Sequence, residues 1–509
     1  MIVDFVLRRV LKVKRFFILF FAVVFTAVIA AGFSACDADK GGTSSTAVSS
    51  DDTVDYGCVL PEIKWGETVT VLALENDGYH LAQWAPEETN DEPVNDATYE
   101  RNALIKDRYD ITIAAIYRDS YDSIIEAIDN EANVFSGAFD VASAAIHYLA
   151  TSPASQGLLY DLNSVNSLAG VDYLDLSGQW WDQAAVRDLS IAHALFYATG
   201  DVCVTDNTAT WAIYYNKDIA NDNGVENLYQ TVRDGDWTLD KMYTYAKGAT
   251  VLVGTQMDFT ADTDDTWGIV AESYDTLATM LGCAQPMSVK DENDIPQFRI
   301  KEERNLEVFD RVLSMLLDGS HVGMADFFGS WNSGVYVTKT EIFTNGHALF
   351  YYGALSAVDS ELMRNAEIHY GILPMPKADE LQTEYSSSGT VYHLTAVSIP
   401  ISVEKKLPCT VFALEAMAFY GRELVTDEYY EVTLKNKRFT DDDSPEMLDI
   451  IVSNRTYDLS TVYNWGDALY MYTTQLGSKN NTLVSAADTY LPKMEVDRDA
   501  AVEAIKAFE

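Results

Sequence analysis

Apolar and polar positions alternate along the first third of the chain in a way that predicts strands separated by helices. Residues 68–74 (TVTVLAL), 111–116 and 139–144 are apolar runs of strand length. Between the second and third run, apolar residues recur at the spacing of one helical face: Tyr121, Ile124, Ile125 and Ile128. This strand–helix–strand order predicts a mostly parallel sheet with helices on both faces.

The alternation continues toward the C-terminus with more units than one sheet can hold. Helices are predicted after Thr238, which caps a run to about residue 251, and over 304–317, and strands over 347–352 and 391–399. Two apolar stripes predict further helices: Phe412, Ala416 and Phe419, and Trp465, Leu469, Tyr472 and Leu476. At about 150 residues per domain the chain has room for two or three domains. The predicted fold class is α/β with more than one sheet.

The first 60 residues have the composition of an export signal followed by a linker. A basic start precedes an apolar run over 16–31 and small residues that lead to Cys36, and residues 37–55 are rich in Ser, Thr, Gly and Asp. A cysteine at the cleavage site resembles a bacterial lipobox, whose lipidated thiol holds the protein on the membrane. Phe33 stands where that pattern prefers leucine, and a retained signal anchor is the alternative. We expect a signal peptide over 1–35, a tether over 36–60, and a lipid anchor on the extracytoplasmic face.

Charge and cysteine spacing restrict the partners and the redox chemistry. The formal net charge of −43 repels nucleic acid and anionic lipid, so no nucleic-acid partner is predicted. The cysteines after Cys36 are too far apart for a CxxC motif: Cys58, Cys203, Cys283 and Cys409. Two disulfides and buried free thiols are both consistent with this spacing.

Motifs for catalysis and for metal binding are missing from the sequence. It contains no GxSxG, P-loop, GxGxxG or HExxH pattern, and no two histidines come within four residues of each other. The acidic stretches 262–265 and 291–294 lack EF-hand spacing and are interpreted as solvated loops. No enzyme activity, cofactor or metal is therefore predicted. The 78 acidic residues nevertheless leave a carboxylate pair for glycoside hydrolysis open.

Aromatic residues are abundant, with 30 tyrosines and 9 tryptophans. Several stand beside Gly, Asn or Asp in predicted loops: Trp180–Asp182, Trp331–Asn332, Tyr351–Gly353 and Asn464–Asp467. An aromatic face can pack against the C–H face of a sugar while neighbouring carboxylates and amides bind its hydroxyls. The competing interpretation for each of these residues is a position in the core.

Six segments resemble family 1 extracellular solute-binding proteins, the lipoprotein receptors of ABC importers. In chain order they are Pro93–Asn102 (PVNDATYERN), Leu174–Asp182 (LDLSGQWWD), Tyr214–Asp218 (YYNKD), Trp237–Lys247 (WTLDKMYTYAK), Phe343–Phe350 (FTNGHALF) and Tyr370–Lys377 (YGILPMPK). The matches keep the family's order over nearly the whole chain after the tether. Most of the matched residues are structural, such as Gly346, Gly371 and Pro374, so the resemblance implies a fold and a transport role rather than a site.

The resemblance implies a two-lobed periplasmic-binding-protein-like fold with a hinge and a ligand cleft between the lobes. Lobe 1 is expected over 61–200 plus 395–453, and lobe 2 over 201–394 plus 454–509. The chain is expected to cross between them near 199–211 and 390–400. Members of the family mostly take up sugars and oligosaccharides. The implied function is capture of a small solute, a sugar or oligosaccharide, by a monomer that delivers it to ABC importer permease subunits.

Candidate ligand-binding residues stand where the strands meet the expected cleft. In chain order they are Asn76, Asp77, His147, Asp206, Asn207, Trp331, Tyr352 and Trp465. The first three follow strands of lobe 1, the next two lie in the crossing, and the aromatics flank loops of lobe 2. We expect lobe 1 to supply mainly hydrogen bonds and lobe 2 mainly a stacking surface.

Two other functions stay open on the sequence alone. One is a lipid-anchored glycoside hydrolase that uses two of the many carboxylates, which sugar-release assays would reveal. The other is a surface sensor or adhesin with the same fold and no importer, which the neighbouring genes would distinguish.

Overall fold

Two sheets, each flanked by helices, form the frame of the protein. The computed structural model describes residues 60–75, 84–430, 434, 439 and 441–508. The predicted signal peptide, Cys36, most of the tether, and Asn76 and Asp77 lie outside these residues. In the described chain the strands are β1 (Glu67–Leu74), β2 (Ile111–Arg118), β3 (Val141–Ala145), β4 (Trp211–Asn216), β5 (Trp267–Ala271), β6 (Ser288–Lys290), β7 (Pro296–Phe298), β8 (Val322–Met324), β9 (Ala348–Ala354), β10 (Tyr370–Leu373) and β11 (Thr395–Ser398).

Helices separate many of these strands and follow the last of them. The α-helices are Pro93–Tyr109, Tyr121–Val134, Ile146–Leu149, Val165–Ala169, Gln183–Asp188, Thr205–Thr208, Lys217–Asp222, Leu228–Arg233, Leu239–Ala249, Asp275–Gly282, Glu303–Leu316, Val335–Thr344, Glu361–Arg364, Leu407–Gly421, Ser444–Ser453, Leu459–Tyr463, Leu469–Ser478 and Leu483–Phe508. Short turns of 3₁₀- or π-helix connect several of them.

The first sheet has the strand order β11–β3–β1–β2. β1 is parallel to both β2 and β3, and β11 runs antiparallel to β3. Val69, Val71 and Leu72 of β1 are fully buried, because the strand lies inside the sheet. The apolar runs at 68–74, 111–116 and 139–144 therefore correctly predicted these strands.

The second sheet has the order β10–β4–β9–β5–β8. β5 is parallel to β8 and β9, whereas β4 runs antiparallel between β9 and β10. Trp237 is fully buried beside this sheet, where its indole N–H donates to the Pro374 carbonyl (2.9 Å) and its ring lies 5.6 Å from that of Phe350. Two mixed sheets flanked by helices confirm the predicted α/β class with more than one sheet.

Helix starts agree with the predicted caps, but one predicted helix face is wrong. Thr238 accepts from the Lys241 N–H at the start of Leu239–Ala249, as predicted. Phe412, Ala416 and Phe419 predicted a helix with a single apolar face. The helix Leu407–Gly421 exists, but it is buried on almost every side, because the first sheet and two helices pack around it.

Two segments of the chain cross between the two sheets side by side. Residues 199–210 lead from the first sheet to the second, and residues 386–394 lead back. The two are paired, since Trp211 N–H donates to the Ser388 carbonyl (2.9 Å) and Thr390 N–H to the Ala209 carbonyl (3.0 Å). A third segment, 454–457, pairs with Ser387. We call these three segments the crossing.

The C-terminal helices pack beside the second sheet. Leu469–Ser478 contacts the helices Asp275–Gly282 and Glu303–Leu316, and Tyr472 donates to the Asn305 side chain (3.1 Å). The helix Ser444–Ser453, which the sequence division placed in lobe 1, packs against β10.

Two properties of the described chain bear on its redox state and location. Cys203, Cys283 and Cys409 are buried free thiols, which was one of the two interpretations of the cysteine spacing. Cys58 lies outside the described residues. No helix within the described ranges is long and apolar enough to cross a bilayer.

Candidate functional site

A chain of aromatic rings connects the two sheets at the ends of their strands. From the first sheet to the second its members are Tyr121, Tyr148, His147, Tyr392, Tyr274 and Trp211, and we call them the aromatic cluster. Successive ring centroids are 4.5, 5.3, 5.0, 6.3 and 5.9 Å apart. These separations are typical of rings in contact. The cluster is therefore one continuous surface.

The first-sheet members stand directly after two parallel strands. β2 ends at Arg118, and Ser120 caps the helix that begins at Tyr121 by accepting from the Ser123 N–H (3.3 Å). β3 ends at Ala145, and His147 and Tyr148 lie in the short helix that follows. Because β2 and β3 both pair with β1 in parallel, their carboxyl ends lie at the same edge of the sheet, where ligands bind in α/β folds.

The second-sheet members also lie at a strand edge. β5 ends at Ala271, and a short turn brings Tyr274 to the start of the helix Asp275–Gly282. Trp211 is the first residue of β4, which is antiparallel to β9, so it lies at the same edge as the carboxyl ends of β9 and β5. The Tyr274 hydroxyl lies near the Thr390 side chain and the Val391 backbone in the crossing, which lower its pKa against the larger effect of burial. Tyr392 follows these residues and joins the two halves of the cluster.

The cluster is partly open to solvent. Trp211 is buried, whereas the other five members are all half-buried. Tyr470, on the helix Leu469–Ser478, is 56% exposed and lies beside Tyr392. These five side chains thus keep part of their surface accessible to solvent, unlike the fully buried aromatics of the core.

Every member of the cluster is uncharged at neutral pH. Burial is the main cause that raises the pKa of the Tyr148, Tyr274 and Tyr392 hydroxyls. Burial lowers the pKa of His147, and the hydrogen bond between its Nδ1 and the Val462 carbonyl (3.0 Å) only partly opposes this. That partner assigns the proton to Nδ1, so Nε2 remains an acceptor.

A group of carboxylates with one lysine fixes the loop that carries Tyr274. Asp326, after β8, accepts from the Ser273 N–H (2.6 Å), the Ser273 hydroxyl (2.9 Å) and the Tyr336 hydroxyl (2.8 Å). Lys339 donates to Glu272 (3.0 Å). Because Glu272 and Ser273 directly precede Tyr274, these bonds hold the tyrosine in position. Glu272 is partly exposed and adds carboxylate oxygens beside the cluster.

Asp275 completes this group from a fully buried position. Its Oδ2 accepts from the Glu272 N–H (2.7 Å) and lies 4.0 Å from the Lys339 ammonium. Burial raises the pKa of Asp275, while the lysine opposes that shift. Its contacts are internal, so it supports the loop rather than offering a surface for a ligand.

The sequence-predicted candidates lie in different places. His147 is a member of the aromatic cluster. Asp206 and Asn207 are in the crossing as predicted, but both are buried against Arg455, which donates to Asp206 (3.1 Å) and to Asn207 (2.9 Å). Arg455 also pairs with Asp182 (2.9 Å). The two crossing residues therefore belong to an internal polar network in this structure.

Three aromatic residues were predicted to bind the ligand from lobe 2. The two whose side chains the structure describes, Tyr352 and Trp465, are buried. Tyr352 is fully buried in β9, and its hydroxyl accepts from Thr279 (3.2 Å). Trp465 is 4% exposed and stacks on Tyr463 at 5.0 Å. The backbone of Trp331 forms a 3₁₀ turn, and its side chain, like Asn76 and Asp77, lies outside what the structure describes.

Sequence reasoning missed most of the cluster. It searched for aromatics beside Gly, Asn or Asp, whereas the cluster tyrosines follow strand ends or lie in the crossing. Tyr121 is the third residue after the end of β2, and Tyr148 is the third residue after the end of β3. A position directly after a predicted parallel strand would therefore have indicated these tyrosines. The same criterion selected His147 as a candidate.

Solved structures of ABC sugar-binding proteins are similar to this chain. A sugar transporter of Rhizobium etli in an open conformation aligns with a TM-score of 0.53 at 14% identity, over 87% of this chain and 100% of its own. An ABC substrate-binding protein of Listeria monocytogenes in complex with cycloalternan gives 0.51 and 13%, over 86% and 99%. The GacH receptor of Streptomyces glaucescens, solved unliganded and with acarbose, gives 0.51 and 14%, over 88% and 100%. At these identities the likeness shows the fold, and it confirms the predicted two-lobed class.

Other comparisons add no assignment of function. No protein-family model and no curated protein matches the chain. Within the residues that the structure describes, no three His, Cys, Asp or Glu side chains are arranged to hold a metal ion.

Proposed function

We propose that this protein is an extracytoplasmic solute-binding protein that captures a neutral sugar or oligosaccharide between two lobes and delivers it to an ABC importer. The observation that carries the proposal is the aromatic cluster: half-buried, uncharged, and placed where both sheets and the crossing meet. The fold supports it, since structures of similar proteins include complexes with cycloalternan and acarbose. The first sheet is the centre of lobe 1, the second sheet the centre of lobe 2, and the crossing the hinge.

The chemistry of the cluster suits a polyhydroxylated ligand without charge. Tyrosine faces stack on the C–H faces of sugar rings, and tyrosine hydroxyls donate and accept hydrogen bonds. The His147 Nε2 and the Glu272 carboxylate add acceptors for sugar hydroxyls. Because members of the cluster stand on both sides of the crossing, closure of the hinge would enclose the ligand from both lobes.

A binding panel tests this function. Titration calorimetry of the chain from Cys36 onward would compare neutral mono- and oligosaccharides with sugar acids and amino acids, and chromatography would then examine the recovered ligand. We expect binding of at least one neutral sugar and its recovery unchanged. Binding confined to charged solutes would contradict the proposal, and products that vanish when one carboxylate beside the cluster is replaced would establish a hydrolase instead.

The membrane anchor is a separate part of the proposal. We expect a lipid on Cys36, because a thiol at the end of the export signal matches the lipobox pattern. The Cys36→Ser variant should then leave the membrane fraction or remain unprocessed, as fractionation and mass spectrometry of the N-terminus would show. Wild-type protein at the membrane with residue 1 still present would identify a signal anchor.

A further inference from the structure

A cavity of about 450 Å³ lies beside the crossing and apart from the aromatic cluster. Its walls come from the helix Gln183–Asp188 on the first-sheet side, from the hairpin β6–β7 on the second-sheet side, and from Ser386 and Thr456 in the crossing. The helix Asp275–Gly282 begins beside Tyr274 and ends at this cavity. Eight residues of helix span about 12 Å, which separates the two sites. We call it the crossing cavity.

Two arginines line the cavity, each pairs with a neighbouring carboxylate, and each keeps unused donors. Arg187 binds Asp188 through Nε (2.7 Å) and Nη2 (2.8 Å). Arg299 binds Glu302 through Nε (2.7 Å) and through Nη2. A guanidinium has five N–H donors in one plane, so each arginine retains an Nη1 group that no residue of the described chain engages. Both groups suit a carboxylate or a phosphate.

The remaining charges at the walls are satisfied internally. Lys290 donates to the Ser190 hydroxyl (2.7 Å) and pairs with Asp294 (2.5 Å). Asp458 is buried and accepts from the Met287 N–H (2.8 Å), the Ser288 hydroxyl (2.7 Å) and the Ser460 N–H (3.0 Å). Among the charged groups that line the cavity, the two guanidinium groups therefore retain N–H donors beyond their internal bonds.

The other walls are mostly apolar. They are formed by Leu281, Ala284, Pro286, Val289 and Leu459. Small-molecule sites typically enclose about 300–1,000 Å³ and combine an apolar lining with a few polar groups that orient the ligand. The volume and lining of the crossing cavity fall within that description.

We propose that the crossing cavity binds a small organic anion, in which a carboxylate or phosphate contacts Arg187 and Arg299 and an apolar body contacts Leu281, Pro286 and Val289. This site is distinct from the sugar site and does not depend on it. The hairpin β6–β7 is bonded directly to the segment that follows Arg187, since Lys290 donates to the Ser190 hydroxyl (2.7 Å) and Asp294 accepts from the His193 N–H (3.0 Å).

Titration calorimetry without sugar tests the proposal, with benzoate and phenyl phosphate as probes and neutral benzamide for comparison. We expect at least one anion to bind, the affinity to fall about tenfold or more in Arg187→Gln and in Arg299→Gln, and benzamide to bind more weakly. Arg233→Gln is the matched control, because Arg233 also pairs with two carboxylates, Asp443 and Glu446, but does not line the cavity.

A cavity-filling variant provides an independent test in case the arginine variants fail to fold. Val289 is 39% exposed on a short strand, so Val289→Phe should fold, occupy the cavity and abolish binding of the anion. Circular dichroism would confirm folding of each variant. The proposal is overturned if neither anion binds, if Val289→Phe binds them as tightly as the parent, or if benzamide equals benzoate.

Discussion

At the scale of single residues, two buried tryptophans contrast with two tyrosines of the aromatic cluster. Trp181 and Trp237 are buried with their indole N–H groups bonded to Glu415 (3.1 Å) and to the Pro374 carbonyl (2.9 Å). Tyr148 and Tyr392 are half-buried at the crossing. A phenol has an apolar face and a polar hydroxyl. It can therefore line a binding surface that is hydrated without ligand and dry when a ligand is bound. The tyrosines are therefore the residues to test for binding.

His147 should make stability depend on pH. Its pKa in the folded protein lies below the ordinary value of about 6.5, so the unfolded chain takes up the proton first as the pH falls. Its contribution to stability is complete above about pH 6.5 and decreases below that value. We expect the melting temperature of the wild type to fall more between pH 7 and pH 5 than that of His147→Gln. Equal slopes in differential scanning calorimetry would contradict this assignment.

Residue placement could be predicted from sequence only where strand topology fixes it. His147 was found because it follows a strand that the apolar pattern identifies. Tyr352 was placed at a loop, but β9 extends to Ala354 and is buried on both faces, so the side chain is in the core. Asp206 bonds to Arg455, which is 249 residues away in sequence. No local pattern reveals such a partner.

At the scale of elements, one arginine connects two segments of the crossing by ion pairs. Arg455 stands in the third segment, pairs with Asp206 in the first, and also reaches Asp182 at the start of the helix Gln183–Asp188. Tyr457 donates to the same Asp182 (2.7 Å). The network ties the first-sheet side to two of the three crossing segments.

Removal of this arginine should destabilise the protein strongly. Arg455→Met leaves two buried carboxylates without their cation, and the loss of one partner of a buried pair typically costs about 3–5 kcal/mol. The exposed pair Lys106–Asp110 gives the control, since Lys106→Met should cost less than about 1 kcal/mol. Urea unfolding followed by circular dichroism measures both. Similar small losses in the two variants would show that the network is not important for stability.

The elements themselves were predictable where their patterns are long. β1 and β2 agree with the predicted apolar runs to within two residues, and the four residues of the predicted helical face all lie on the helix Tyr121–Val134. β8 has three residues and β5 has five, too few to establish a period. The helix Leu407–Gly421 seemed one-sided in sequence, because the neighbours that bury its other faces are distant along the chain.

At the scale of the whole molecule, an uncharged site lies in a strongly acidic protein. The formal net charge is −43, yet the tyrosines of the cluster are protonated and His147 is neutral. A net negative field disfavours approach of anions but has little effect on a neutral sugar. The charge therefore does not oppose binding of the proposed neutral sugar.

Sugar affinity should consequently be almost independent of salt. The screening length decreases from about 10 Å at 0.1 M to about 3 Å at 1 M ionic strength, which would change the affinity of a charged ligand. For the sugar identified in the panel we expect less than about a twofold change in Kd over this range, measured by calorimetry. A tenfold change would indicate that the natural ligand carries charge.

The most direct test of the aromatic cluster as the sugar site is the affinity of its tyrosine variants. Tyr148→Ala and Tyr392→Ala should each weaken binding of the sugar about tenfold to a hundredfold, since each loses a stacked ring worth about 1.5–3 kcal/mol. Tyr99→Ala is the control, because Tyr99 is 39% exposed on the helix Pro93–Tyr109, away from the cluster. It should bind as the parent does. If the two cluster variants fold and bind the sugar as tightly as Tyr99→Ala, the ligand site is elsewhere.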